Sequence, residues 1–175
     1  MEKVGGISYR AVTQVPLILN VPGIKNAGKV SDAIIESVDL FPTLCQLINI
    51  PIPNTVQGKS FIEILTGKVD SIRTSALTEN PYRKALATKE WRYVANIDSQ
   101  KDELYNIVDD PWELNNRIDD TEYKDTAGKM LRELLDRVAR ARKPVNTING
   151  HWHEHCYDDD GRVDLVKDGS TNSYW

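Results

Sequence analysis

The sequence predicts an α/β protein, α+β within its own 175 residues, and three observations carry that reading. The run Val15-Pro-Leu-Ile-Leu-Asn-Val is apolar without alternation, as in a strand buried on both faces of a larger sheet. Four short segments between residues 76 and 107 are separated by turn residues at the spacing of an antiparallel meander. Residues 122–142 then repeat apolar side chains at helical period.

The elements follow in order. The run Val15–Val21 reads as a strand closed by Pro22-Gly23, with no sheet in this chain to bury it. Lys25 to Lys29 is a polar turn, and residues 30–38 are compatible with extended chain. Asp39 is placed to cap a helix beginning Leu40-Phe41-Pro42, because Asp accepts free N–H groups of a first turn and Pro is tolerated there. Leu40, Leu44, Leu47 and Ile48 form its apolar stripe, and Pro51 and Pro53 stop it. Gly58-Lys59-Ser60 opens a short helix over Phe61 to Leu65 that ends at Gly67. The strands are expected at 76–79, 85–88, 91–97 and 103–107, with Trp91, Tyr93, Ala95 and Ile97 on one buried face. Asp109-Asp110-Pro111-Trp112-Glu113 is a turn. In the long helix Tyr123, Ala127, Met130, Leu131, Leu134, Leu135 and Val138 share a face, which is expected to cover the meander. Glu133 with Arg137 and Asp136 with Arg140 are i,i+4 pairs. Pro144 ends this helix, and the polar tail from Asn146 is expected as loop or partly disordered chain. This divides the chain into residues 1–72, 73–144 and 145–175.

Composition narrows the function class. Hydrophobic residues make up 40% and charged residues 27%, as in a globular protein. The net charge of −4 offers no phosphate-tracking surface, so nucleic acid is not an expected partner. No apolar run reaches the roughly 20 residues of a membrane span. Cys45 reads as a buried thiol in a helix, and two distant cysteines leave the compartment unread.

Several motifs occur in one order. Tyr9 is followed by Val15-Pro16-Leu17-Ile18 and Pro22-Gly23, then by Ser37-Val38-Asp39-Leu40-Phe41-Pro42-Thr43-Leu44, then Ile50-Pro51, Gly58-Lys59-Ser60 and Leu65-Thr66-Gly67. Trp91-Arg-Tyr-Val, Glu103-Leu-Tyr-Asn-Ile, Asp109-Asp110-Pro111, Glu113 and Asn115-Asn116 complete the series. Together they resemble the sulfatase family, arylsulfatase-like members of the alkaline-phosphatase superfamily, over residues 9 to about 143. Asn49 stands where that family usually carries glycine. The resemblance implies that residues 1–72 end the catalytic α/β domain, with Val15–Val21 a remnant of its large mixed sheet. It further implies that residues 73–144 are a small C-terminal subdomain, a four-stranded antiparallel sheet on a long helix.

It also implies which chemistry is absent. Sulfatases take a formylglycine from a C/S-x-P-x-R motif, and a divalent metal, usually calcium, draws charge from the sulfate. Cys45 precedes Gln46-Leu47 and Cys156 precedes Tyr157-Asp158, so neither fits, and no serine does. The expectation is an inactive C-terminal piece that supplies structure and part of a cleft, its partner being an N-terminal catalytic portion and the parent's substrate a sulfated small molecule or glycan. A periplasmic or secreted parent is compatible with this. Lys3 is the one catalytic residue carried over, as a sulfate contact ahead of Tyr9. His151, His153, His155 and Cys156 are weak metal candidates, imidazole and thiolate being borderline-soft ligands; plain surface is the simpler reading. Asp109-Asp110 and Asp158 to Asp160 read as solvated turns. Two alternatives stand: a non-catalytic structural or recognition module, and a piece of a phosphodiesterase or phosphonate hydrolase of the same superfamily. An unpartnered Val15–Val21 edge would also favour a homodimer.

Overall fold

The computed structural model describes residues 8–24, 28–53, 56–97 and 101–141, together with the backbone of 146–148 and 151–153. Its centre is the meander. Strands β1 (Ala76–Glu79), β2 (Arg83–Ala87), β3 (Trp91–Asn96) and β4 (Glu103–Asn106) pair antiparallel in sequence order. The register aligns Leu77, Leu86, Tyr93 and Leu104 in one row across the sheet. Because side chains alternate along a strand, this row shares a face, and the long helix (Lys124–Ala141) covers it. Leu86, Tyr93, Leu104, Met130 and Leu134 form the buried core, with Trp91, Ala127, Leu131 and Val138 packed around it. The Trp91 and Tyr123 rings meet at 4.9 Å. This is the small sheet-and-helix unit predicted from periodicity.

The helix departs from prediction in three details. A 3₁₀ turn at Thr121–Tyr123 precedes it, and Leu135 is 61% exposed although its spacing predicts the buried face. Arg137 also leaves its expected partner Glu133 and reaches 2.6 Å to Glu36. Asp136 and Arg140 do pair, at 2.9 Å, on the exposed surface; such a pair contributes little.

Among the described residues three α-helices precede the sheet: α1 (Arg10–Thr13), α2 (Leu40–Leu47) and α3 (Ile62–Leu65), which makes the long helix α4. α2 does not need its prolines to stop. Ile50 N–H donates to Cys45 O at 2.8 Å and Asn49 N–H to Gln46 O at 3.2 Å, the two bonds of a Schellman cap. Asn49 sits at φ 58°, the left-handed conformation this cap demands. Asparagine is the side chain that best replaces glycine there, which accounts for its presence at that position.

Three expectations fail. Val15–Val21 forms no strand: no ladder includes it, and Val15, Leu17 and Ile18 are 68%, 45% and 91% exposed. A strand exists only against a partner, and none lies beside it among the described residues. The α2 stripe likewise faces outward at Leu44 and Ile48, whereas Pro42, Thr43 and Cys45 are buried. Past α4, β5 (Asn146–Ile148) pairs antiparallel with β6 (His151–His153), where a loop was expected. No described helix is long and apolar enough to cross a membrane.

Candidate functional site

The densest polar chemistry lies in two buried seams that attach the first section of the chain to the sheet unit. The first is built around Asp39, which is fully buried. Its side chain does not cap α2 as predicted; it faces the other way. Oδ2 accepts Glu36 N–H at 2.8 Å, while Oδ1 accepts Lys59 N–H at 2.7 Å and Arg73 Nη2 at 2.5 Å. Burial pushes this carboxyl upward, opposed by the Lys59 N–H and the charge of Arg137. Glu36 extends the seam: Oε1 accepts Leu77 N–H at 2.5 Å and Arg137 Nη2 at 2.6 Å, and Oε2 pairs with Arg73. Burial, then the nearby Arg137, lowers the Arg73 guanidinium to about 10. Thr43 completes the cluster, donating to Asp39 O at 2.6 Å and accepting Phe61 N–H at 3.1 Å. Gly58 permits this approach, since its α-carbon faces the Val38–Asp39 peptide with no room for a side chain.

The second seam lies on the sheet face opposite α4. Arg92, the second residue of β3, is 4% exposed. Its guanidinium donates to Ser8 O and, at 2.6 Å, to Thr13 Oγ1. Its Nε stands 3.2 Å from Glu113 Oε1, an ion contact without the alignment of a hydrogen bond. Burial lowers Arg92, against the raising charge of Glu113. Glu113 Oε2 accepts Arg10 N–H at 2.7 Å, and Glu113 is held at φ 56°. Tyr9 meets Tyr105 edge-on at 6.2 Å, and Asn80 Nδ2 donates to Ser8 Oγ at 3.3 Å. Sequence reasoning missed both seams, because a buried arginine or aspartate reads as a surface residue. The available signal was Arg92 inside a strand whose other face was already apolar.

The turn after β4 is also architectural. Asp110 Oδ2 accepts Leu114 N–H at 2.8 Å and Asn115 N–H at 2.7 Å, and Asn116 Oδ1 accepts Leu104 N–H at 2.9 Å. Asp109 accepts from Asn106 Nδ2 at 2.8 Å. These carboxylates close a turn, as predicted, Asp110 by satisfying its backbone and Asp109 by holding the Asn106 side chain.

Lys3, His155 and Cys156 lie outside the described residues, as does the Asp158 to Asp160 run. Of His151 and His153 only the backbone in β6 is described. Cys45 is a buried free thiol. Among the described residues no group of three His, Cys, Asp or Glu side chains could hold a metal ion. The buried carboxylates are already taken by arginines and backbone N–H groups, so they do not fit a calcium site.

Comparison with known proteins gives the chain's family. Residues 6–140 match the family model of the N-sulphoglucosamine sulphohydrolase C-terminal region. An uncharacterised sulfatase of Escherichia coli is 26% identical over 82% of this chain and 30% of its own length. An arylsulfatase of Clostridium perfringens is 28% identical over 79% of this chain and 30% of its own. The chain thus spans about a third of the length of these curated relatives. Its fold resembles the phosphonate monoester hydrolase of Silicibacter pomeroyi, with a TM-score of 0.62 and 23% identity over 70% of this chain and 28% of that one. The match covers both seams and the sheet unit they join: the chain belongs to the N-sulphoglucosamine sulphohydrolase C-terminal family, and is a C-terminal sulfatase domain.

Proposed function

We propose that this domain completes a sulfuric ester hydrolase whose nucleophile and metal ligands reside in a preceding catalytic portion. The observation that carries this is how its family-signature residues are spent. Asp39, Gly58, Asp110, Glu113 and Asn116 all hold backbone in place, so the domain's contribution is shape and support. Val15, Leu17, Ile18, Leu19, Phe41, Leu44 and Ile48 remain exposed, an apolar surface that suits the flank of a larger sheet. In this reading the substrate is a sulfated small molecule or glycan, calcium and formylglycine act in the preceding portion, and Lys3 contacts the sulfate.

The test is turnover of 4-nitrophenyl sulfate by the full-length gene product and by the 175-residue chain. Activity in the former and none in the latter is expected. Turnover by the purified short chain would refute the division of labour. The fold likeness to a phosphonate monoester hydrolase favours one second reading. Under it the full-length product cleaves a phosphonate monoester and leaves the sulfate ester intact. Expressed alone, the chain should cover its exposed Val15–Leu19 segment by dimerising, and a monomer by light scattering at high concentration would count against that.

A further inference from the structure

We propose that the turn after β4 carries a docking surface for the preceding catalytic portion of the same polypeptide, formed by Val108, Trp112 and Leu114; this rests on the reading that such a portion exists. The three side chains are 63%, 78% and 78% exposed, within seven residues of one turn. Apolar residues exposed singly are ordinary, but three gathered on one turn present on the order of a few hundred Å², the scale of an interaction site. The turn is built to keep them there. Asp110 N–H donates to Asn106 O at 2.9 Å and Glu113 N–H to Asp110 O at 3.1 Å, while Asp110 Oδ2 accepts Leu114 and Asn115 N–H. Glu113, between Trp112 and Leu114, is 6% exposed and held at φ 56°, with its carboxylate against Arg92 and Arg10 N–H. A buried residue pinned in this way leaves its two apolar neighbours in solvent. An epitope fixed beforehand binds without the ordering cost of a mobile loop, and tryptophan is among the side chains that most often carry the binding energy of an interface.

The place of the turn selects the occupant. Glu113 accepts Arg10 N–H and Arg92 donates to Ser8 O, so the turn borders the point where the chain enters the domain. This seam already joins the sheet unit to the incoming chain, and Trp112 and Leu114 flank its carboxylate in sequence. The Escherichia coli relative is matched over 150 residues, 30% of its length, so a preceding portion would hold roughly 300 residues and measure on the order of 50 Å across. Residues 1–7 join it to Ser8 with a reach of at most roughly 25 Å. A body wider than its tether must rest on the surface around the attachment point.

The experiment is hydroxyl-radical footprinting of the full-length gene product, with oxidation at Trp112 read by peptide mass spectrometry in the folded and the urea-unfolded protein. Trp112 should oxidise about tenfold more slowly when folded, because the centre of an interface excludes water, and should do so at every protein concentration and with no ligand added. Equal rates would overturn the proposal. So would protection that grows with protein concentration, which assigns the surface to a second copy, or protection that appears only with a sulfated disaccharide, which makes it a ligand platform. A variant separates docking from folding. Trp112→Ser should leave the melting midpoint of the 175-residue chain unchanged, its side chain being exposed there, and lower that of the full-length product by several degrees. The same midpoint shift in both proteins, or none in the full-length product, would count against docking. A gene product with no preceding portion would remove the occupant and overturn the proposal together with the reading beneath it. A protected Trp112 in a product inert toward 4-nitrophenyl sulfate would uphold the docking surface and sink the sulfatase reading alone.

Discussion

Replacing Gly58 by alanine should destabilise this domain by several kcal/mol, although the change adds one methyl group. The new Cβ would lie 2.5 Å from the Val38 carbonyl carbon and 2.9 Å from Asp39 N, and closer still to Val38 O. All of these are backbone atoms, so no rotamer change relieves the clash. One of the two chain segments must shift by about an ångström. Both segments serve the Asp39 seam: Lys59 N–H, next to Gly58, donates to Asp39 Oδ1 at 2.7 Å. Overpacking costs about 1–3 kcal/mol. Weakening a hydrogen bond to a buried charge costs about 1.5–3 kcal/mol more. The two effects share atoms and do not simply add, so about 3–5 kcal/mol is expected. For a chain of 175 residues that lowers Tm by roughly 10 °C. Circular dichroism melts would measure it. Gly128 in α4 is the control, since nothing lies within 4 Å of its Cβ position. Gly128→Ala should raise stability by about 0.5–1 kcal/mol through helix propensity. Equal melts for wild type and Gly58→Ala would refute the close approach of the two backbones.

Asn49→Ala should cost about 1 kcal/mol, because alanine lacks the local hydrogen bonding that lets asparagine occupy φ 58°; Asn49→Gly should match or exceed wild type, and urea titration of both checks it. Leu134→Ala should cost about 2–5 kcal/mol, Leu134 being 1% exposed at the centre of the sheet–helix core, again read as a shift in the urea midpoint. Burial, and then the carboxylates of Asp102 and Glu103, push the phenols of Tyr93 and Tyr105 above the ordinary tyrosine value. A phenol raised in the folded state contributes stability that is intact below about pH 10 and is lost as pH climbs further. Absorbance titration at alkaline pH should therefore show two tyrosines ionising late and together with unfolding. Their early titration with the exposed ones would refute the burial.

How much was legible in the sequence follows from which forces act locally. The meander and α4 could be read because each keeps one period over enough residues, and the register then matched Leu77, Leu86, Tyr93 and Leu104 without ambiguity. The second face of the sheet could not be read. Arg92 belongs there, and a buried guanidinium is recognisable only when its partners, Ser8 and Glu113, are known to be near; they lie 84 and 21 positions away in the chain. Asp39 misleads for a related reason. Its place before a helix gives a helix-cap signature whether its side chain turns toward the helix or toward Lys59 and Arg73, and only the tertiary partners decide. Val15–Val21 shows the opposite case. Its pattern encodes a buried strand, yet hydrogen bonding to a neighbour makes a strand, and pattern alone supplies no neighbour.

The two seams also locate a mechanical boundary that composition did not. The change of pattern near residue 72 suggested a division there, but the contacts run across it. Glu36 accepts from Leu77 N–H in β1 and from Arg137 in α4, and Ser8 is gripped from β3. Ser8–Thr13 and Glu36–Thr43 are therefore bound to the sheet unit, while Val15, Leu17, Ile18 and Leu19 between them are exposed. One flank is held by hydrogen bonds with Arg92 and Glu113 and the other by the Glu36 and Asp39 ion pairs. The arrangement anchors the residues on either side of this stretch to the sheet unit.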